Sequence, residues 1–120
     1  MLRAATLILC LCLPLLAHAD LTGQWRGDDG GRYYLHQVGD SLYWYGQEAS
    51  AKPGWANAFF GAISANRIRG NWADVPRGQK LRNGELHLTI GKDGDTLTAT
   101  HQTGGFKGRH WHRIKEKADE

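Results

Sequence analysis

Cysteine is all but missing from this chain of 120 residues, and its two thiols, Cys10 and Cys12, both fall in an apolar run near the start. No disulfide framework, thiolate nucleophile or cysteine metal cluster can be drawn from the rest. A second long hydrophobic run is missing as well. After Leu16 no stretch approaches the roughly 20 apolar residues that a membrane helix needs. Charge of one sign is nowhere concentrated: the formal net charge is +3 at pH 7, with acids and bases interspersed. This excludes the basic stripe of a nucleic-acid binder. The one charged cluster, Lys115 to Glu120, reads as a solvated tail.

What is present opens with a targeting pattern. Met1-Leu2-Arg3 supplies a positive start, Ala4 to Leu16 an apolar stretch, and Ala17-His18-Ala19 a small-x-small cleavage site. The expectation is a signal peptide over residues 1–19 and a mature chain over 20–120, exported to a periplasm or to the medium. Five Trp, four Tyr and three Phe all fall in that mature part. At roughly 100 residues, it can fill one core and not two.

Helical periodicity is absent from the mature part, whereas strand signals fill it. Apolar and polar residues alternate, and turn residues recur about every ten positions. Eight strands are predicted: Leu21–Arg26, Arg32–Val38, Leu42–Glu48, Asn57–Ala65, Ile68–Ala73, Glu85–Gly91, Thr96–His101 and Arg109–Lys115. Gly39-Asp40-Ser41, Asn66-Arg67 and Lys92 to Asp95 read as tight turns. Gly27–Gly31, Ala49–Ala56, Asp74–Gly84 and Gln102–Gly108 read as looser loops. In an up-and-down meander these two sets lie at opposite ends. The fold class is all-β, a single eight-stranded antiparallel barrel, closed so that no sheet edge is left free.

Parity carries across each hairpin. With Trp25 inside, the inward set becomes Tyr33, Leu35, Leu42, Trp44, Phe59, Ile63, Ile68, Trp72, Leu86, Leu88, Ile90, Leu97, Ala99, His101, Arg109, Trp111 and Arg113. Tyr34, Val38, Tyr43, Tyr45 and Phe60 turn outward. An exposed aromatic face of this kind predicts a partner surface, with a homo-oligomer through Tyr34, Tyr43 and Tyr45 as its simplest form.

The strand Leu21-Thr22-Gly23-Gln24-Trp25, together with Arg113 two residues after Trp111, resembles the calycin superfamily of avidins, lipocalins and fatty-acid-binding proteins. The resemblance implies that Trp25 packs at the closed end beneath Arg113, as structural residues in a contact of cation–π character. The first strand is most similar to that of avidins. An ungapped reading, however, places Gly27 and Gly31 where the avidin pattern has the Asn and Ser that hold biotin.

A ligand site is expected at the rim built by the looser loops. Tyr33, Asn57, Trp72, His101 and Arg109 would lie inside or near it, with Trp55 and Phe106 on its loops. Aromatics would stack a small planar or amphipathic molecule, and Arg109 would meet an anionic group. The alternative is a barrel whose lumen is simply filled by indoles. Asp74 and Arg77 are expected to face each other across Val75-Pro76, and Asp28 and Asp29 to form a solvated turn. Gly104-Gly105-Phe106 has no following helix and shapes a hairpin rather than a phosphate loop.

No catalytic constellation stands out, and no cofactor is implied. His110 and His112 share a strand face as in some zinc sites, but a third ligand is wanting, so no metal residues are assigned. Three readings remain: an exported binding protein for a small ligand, a protein-interaction barrel of the bacterial envelope such as an inhibitor or immunity-type protein, and an enzyme using His101. Barrel inhibitors that enter a protease cleft use an extended tail ahead of the first strand, where this mature chain is expected to have Asp20 alone.

Overall fold

The computed structural model describes residues 20–115; the predicted targeting segment 1–19 and the end of the charged tail lie outside the described residues. Eight strands follow in order: β1 Gly23–Gly27, β2 Gly31–Val38, β3 Ser41–Glu48, β4 Ala56–Ser64, β5 Arg67–Asp74, β6 Asn83–Ile90, β7 Thr96–Gln102 and β8 His110–Arg113. Each pairs antiparallel with the next, and β1 pairs with β8 through Trp25↔Arg113, Arg26↔His112 and Gly27↔Trp111. The barrel is therefore closed and all-β, with up-and-down connectivity.

The sequence alternation explains the closure. Trp25, Tyr33, Leu35, Leu42, Trp44, Phe59, Ile63, Ile68, Trp72, Leu86, Leu88, Leu97 and Trp111 are buried and form one cluster. Their neighbours on the same strands face water, as a period of two requires. The barrel interior is thus a packed aromatic core. Trp44 lies 4.6 Å from Phe59, 5.0 Å from Tyr33 and 5.5 Å from Trp111 between ring centroids. Glycine makes room for these rings: a Cβ at Gly46 would stand 2.4 Å from the Tyr33 ring.

Two predicted inward residues do not point inward. His101 is exposed, because the β6–β7 register shifts between His87 and Leu88: Leu88 pairs with Ala99 while His87 pairs with His101. Thr100 is the additional residue, and such a bulge reverses the parity of everything beyond it. Arg109 is also exposed and lies just before β8. Its backbone N–H donates to Asp28 Oδ1, and its guanidinium donates to Gln102 Oε1 at 3.0 Å.

The connections sort to the two ends as the meander requires, with one correction. The β1–β2 link, Asp28-Asp29-Gly30, is short rather than loose. At the opposite end the β4–β5 turn is Ala65-Asn66, one residue earlier than predicted, with Ser64 paired to Arg67 and Ala65 in the left-handed region at φ 56°. That end is closed by Trp25 and Arg113. The Trp25 indole N–H donates to the Leu21 carbonyl at 3.0 Å, and the Arg113 guanidinium carbon lies 4.8 Å from the Trp25 ring centroid.

Candidate functional site

Three long loops crown the other end: 49–55, 75–82 and 103–109. The first two are braced through the backbone. Glu48 N–H donates to the Trp55 carbonyl, Val75 N–H to the Ala56 carbonyl and Gln79 N–H to the Gly54 carbonyl. Glu48 Oε1 accepts from Gly54 N–H at 2.6 Å, which fixes the approach to Trp55. The half-buried Trp55 indole then lies over bare backbone, since a Cβ at Gly31 would come within 2.4 Å of its ring.

Between these loops opens a depression of about 350 Å³. Trp55 and Phe106 supply its apolar walls, and Asn57 and Asp29 are its innermost polar residues. Lys80, Lys107 and Arg82 stand around it with Asp28. Lys80 and Lys107 are exposed and make no ion pair among the described residues.

Beneath the mouth, polar groups are tied together rather than free. Tyr33 donates its hydroxyl to Asp29 Oδ2 at 2.5 Å, while Gly31 N–H donates to Asp29 Oδ1 at 3.0 Å. Burial holds the Asp29 carboxyl above its ordinary range, against the pull of these two hydrogen bonds. Burial, followed by the adjacent Asp29 charge, pushes the Tyr33 phenol far up, so it remains a donor. Asn57 Oδ1 accepts the Trp44 indole N–H at 2.9 Å. Trp111 Nε1 is the one buried side-chain donor without a partner among the described residues, and it lies beneath Gly27 beside Asp29 and Tyr33.

Asp74 shows why the neighbouring loop is rigid. It ends β5 with its side chain fully buried, and it is paired with Arg82 and not with Arg77. Arg82 Nε donates to Asp74 Oδ2 at 2.8 Å, and its backbone N–H donates to the same oxygen at 2.7 Å. The guanidinium also stands 5.6 Å from the Trp72 ring centroid. With Arg82 Nη2 also donating to Asp74 Oδ1 at 3.4 Å, the guanidinium engages both carboxylate oxygens, ties the start of β6 to the end of β5 and presents one edge of a cation to the mouth.

Of the residues predicted for a site, Trp55, Asn57 and Phe106 line the mouth. Tyr33 and Trp72 are fully packed below it, the latter donating its indole N–H to the Thr103 carbonyl at 3.1 Å and meeting Phe106 edge-on at 4.9 Å. Arg109 touches the rim through its backbone only, and His101 stands on the outer wall. Asp29, Lys80, Arg82 and Lys107 were not assigned to the site by the sequence pattern. Asp29 is no solvated turn residue, because the short β1–β2 link folds it back onto Tyr33. The arrangement can stack an apolar plane and pair an anion, and the two acids near its floor, Asp29 and Asp74, are already held by partners within the protein. No protein-family model, no curated protein and no solved structure matches the chain.

Proposed function

We propose that the chain is an exported, non-catalytic binding protein whose rim mouth takes a small planar or amphipathic ligand carrying an anionic group. The reading rests on one observation above the others: two lysines, Lys80 and Lys107, that form no ion pair among the described residues flank an aromatic-walled depression of about 350 Å³ above a lumen that is otherwise packed. Such a depression has the size of a small-ligand site, in which apolar walls supply contact and a few polar groups set orientation. A ligand there is held at the mouth and not swallowed, in contrast to a barrel with an open lumen. The anion partner proposed is thus the lysine pair in place of Arg109, whose guanidinium is held by Gln102 and which does not line the depression.

The targeting pattern of residues 1–19 supports export to the periplasm or beyond the cell. The first-strand Trp25 under Arg113 supports a calycin-type barrel. Titration of the purified chain with aromatic carboxylates, followed by tryptophan fluorescence, tests the reading. Binding should perturb the emission, and Trp55→Ala or the Lys80→Ala/Lys107→Ala pair should weaken it. If both variants bind as the parent does, the mouth is not the site.

A second reading has its own observation. Tyr34, Val38, Tyr43 and Phe60 are 43 to 54 % exposed on the outer face of β2 to β4, with Tyr43 and Phe60 rings 4.9 Å apart and Tyr34 stacked on Tyr45. A contiguous aromatic face of this kind fits a protein partner, most simply a second copy of the chain. Sedimentation at micromolar concentration should then report a dimer that Tyr43→Ser/Tyr45→Ser dissociates. A monomer unaffected by the substitutions removes this reading.

A further inference from the structure

On the outer wall, away from the mouth, three potential metal ligands share one spot. Glu85 and His87 are two residues apart on β6 and so project from one face. His101 of β7 lies directly opposite His87. His101 Nε2 is 3.0 Å from Glu85 Oε1, and the two imidazole centroids are 4.6 Å apart. One ligand atom from each of the three residues falls within 4.8 Å of the other two.

The bulge creates this grouping. Regular alternation from Leu97 and Ala99 would send His101 into the lumen, away from both partners. The additional residue, Thr100, turns it out instead, and the Thr100 hydroxyl donates to the His87 carbonyl at 3.3 Å, tying the bulge to the strand that carries the other two groups. Bulges commonly re-aim a side chain in this way beside a functional site.

We propose that Glu85, His87 and His101 form a surface site for a divalent transition cation of the zinc class, with its remaining coordination position open to solvent. Two imidazoles and one carboxylate are a donor set that suits zinc and its neighbours, and not the all-oxygen preference of calcium or magnesium. Bonds of about 2.0–2.1 Å to a tetrahedral ion need ligand atoms roughly 3.3 Å apart. The Glu85–His101 pair is already closer than that. His101 and Glu85 side chains are 45 % and 55 % exposed, which leaves them free to rotate the remaining distance.

The local charges act in both directions. Each histidine would ligate through the single lone-pair nitrogen of its neutral imidazole. Arg69 pairs with His87 from β5, and its charge opposes a cation, so the Glu85 carboxylate is needed as a direct ligand. The site is independent of the ligand-binding mouth and stands or falls without it.

Calorimetric titration of the chain, purified without a polyhistidine tag, with ZnCl₂ tests the assignment, alongside Co²⁺ titration read by visible d–d absorption. The parent should bind one equivalent of either ion. His87→Ala and His101→Ala should abolish the Co²⁺ spectrum. Glu85→Gln should weaken binding by more than about tenfold, since even loss of an outer partner commonly costs that much. His110→Ala/His112→Ala, which removes the other outward histidine pair, should change nothing. Far-UV circular dichroism checks that each variant folds; if His87→Ala does not, His101→Ala and Glu85→Gln carry the test. Stoichiometric binding that survives His101→Ala, binding abolished by His110→Ala/His112→Ala, or no binding by the parent overturns the proposal.

Discussion

Arg113 covers Trp25, with its guanidinium carbon 4.8 Å from the ring centroid, and also donates to the carbonyls of Asp20, Thr22 and Gly94. One side chain thus joins the start of β1, the end of β8 and the β6–β7 turn, where Asp95 Oδ1 accepts from its Nε at 2.8 Å. Closure of the barrel depends on this corner, because β1 and β8 are short and share three residue pairs.

Removing Trp25 leaves a large hole beneath Arg113. Trp25→Ala should cost about 3–5 kcal/mol in denaturant melts, as truncations of large buried aromatics do. Arg113→Lys should also be destabilised, because an ammonium cannot reproduce a fork that reaches several carbonyls at once. A loss below about 1 kcal/mol for Trp25→Ala would mean that the corner does not hold the barrel shut.

The pairing of Asp74 with Arg82 makes a comparison between two arginines informative. Arg82→Ala strands a carboxylate whose side chain is fully buried and should cost about 2–3 kcal/mol, somewhat less than a fully buried pair because Arg82 is itself one-third exposed. Arg77→Ala, at an exposed position, should stay within about 0.5 kcal/mol of the parent. Equal effects in thermal or urea unfolding would contradict the assigned pair.

Asp29 gives the molecule a pH dependence of unusual sign. Its folded-state pKa is raised by burial, so the stability it contributes is complete below the unfolded carboxyl's pKa and is lost as pH rises through the folded one. Asp20 and Asp95 act in the opposite sense, since hydrogen bonds from Thr22 and from Lys115 and Arg113 hold them low. The difference between parent and Asp29→Asn isolates the first effect. Relative to the parent, the variant should become more stable as pH rises from about 3 to 7. A difference that stays flat, or that moves against the variant, would show that the Asp29 carboxyl is not raised.

The strand order and most of the core were legible in the sequence because parity propagates through short turns, and one buried residue, Trp25, fixes the rest. His101 was lost to that logic by a single residue: nothing in Thr98-Ala99-Thr100-His101 marks Thr100 as a bulge, which arises from how β7 fits against β6. Arg109 was lost because the regular strand begins one residue later, at His110, so Arg109 lies outside the alternation that Trp111 sets. The partner of Asp74 could have been found. Extending β5 by one step turns Asp74 inward from the parity of Trp72, and an inward acid requires a cation. Which arginine of the following loop returns to it is a matter of loop path, and eight residues of irregular chain carry no periodic signal. Lys80 and Lys107 escaped notice for the same reason: they lie on different loops that only the closed barrel brings together.

Whether the mouth between the long loops binds a ligand can be read residue by residue by nuclear magnetic resonance. Aromatic carboxylates are titrated into uniformly ¹⁵N-labelled protein while backbone amides and the tryptophan indole N–H groups are followed. A ligand bound at the mouth should shift the Trp55 indole and the amides of Phe106 and Lys107, leaving the Ala65-Asn66 turn at the far end unmoved. Shifts confined to that turn or to the Tyr43–Phe60 face, or none at millimolar concentration from any member of the series, would contradict binding at the mouth.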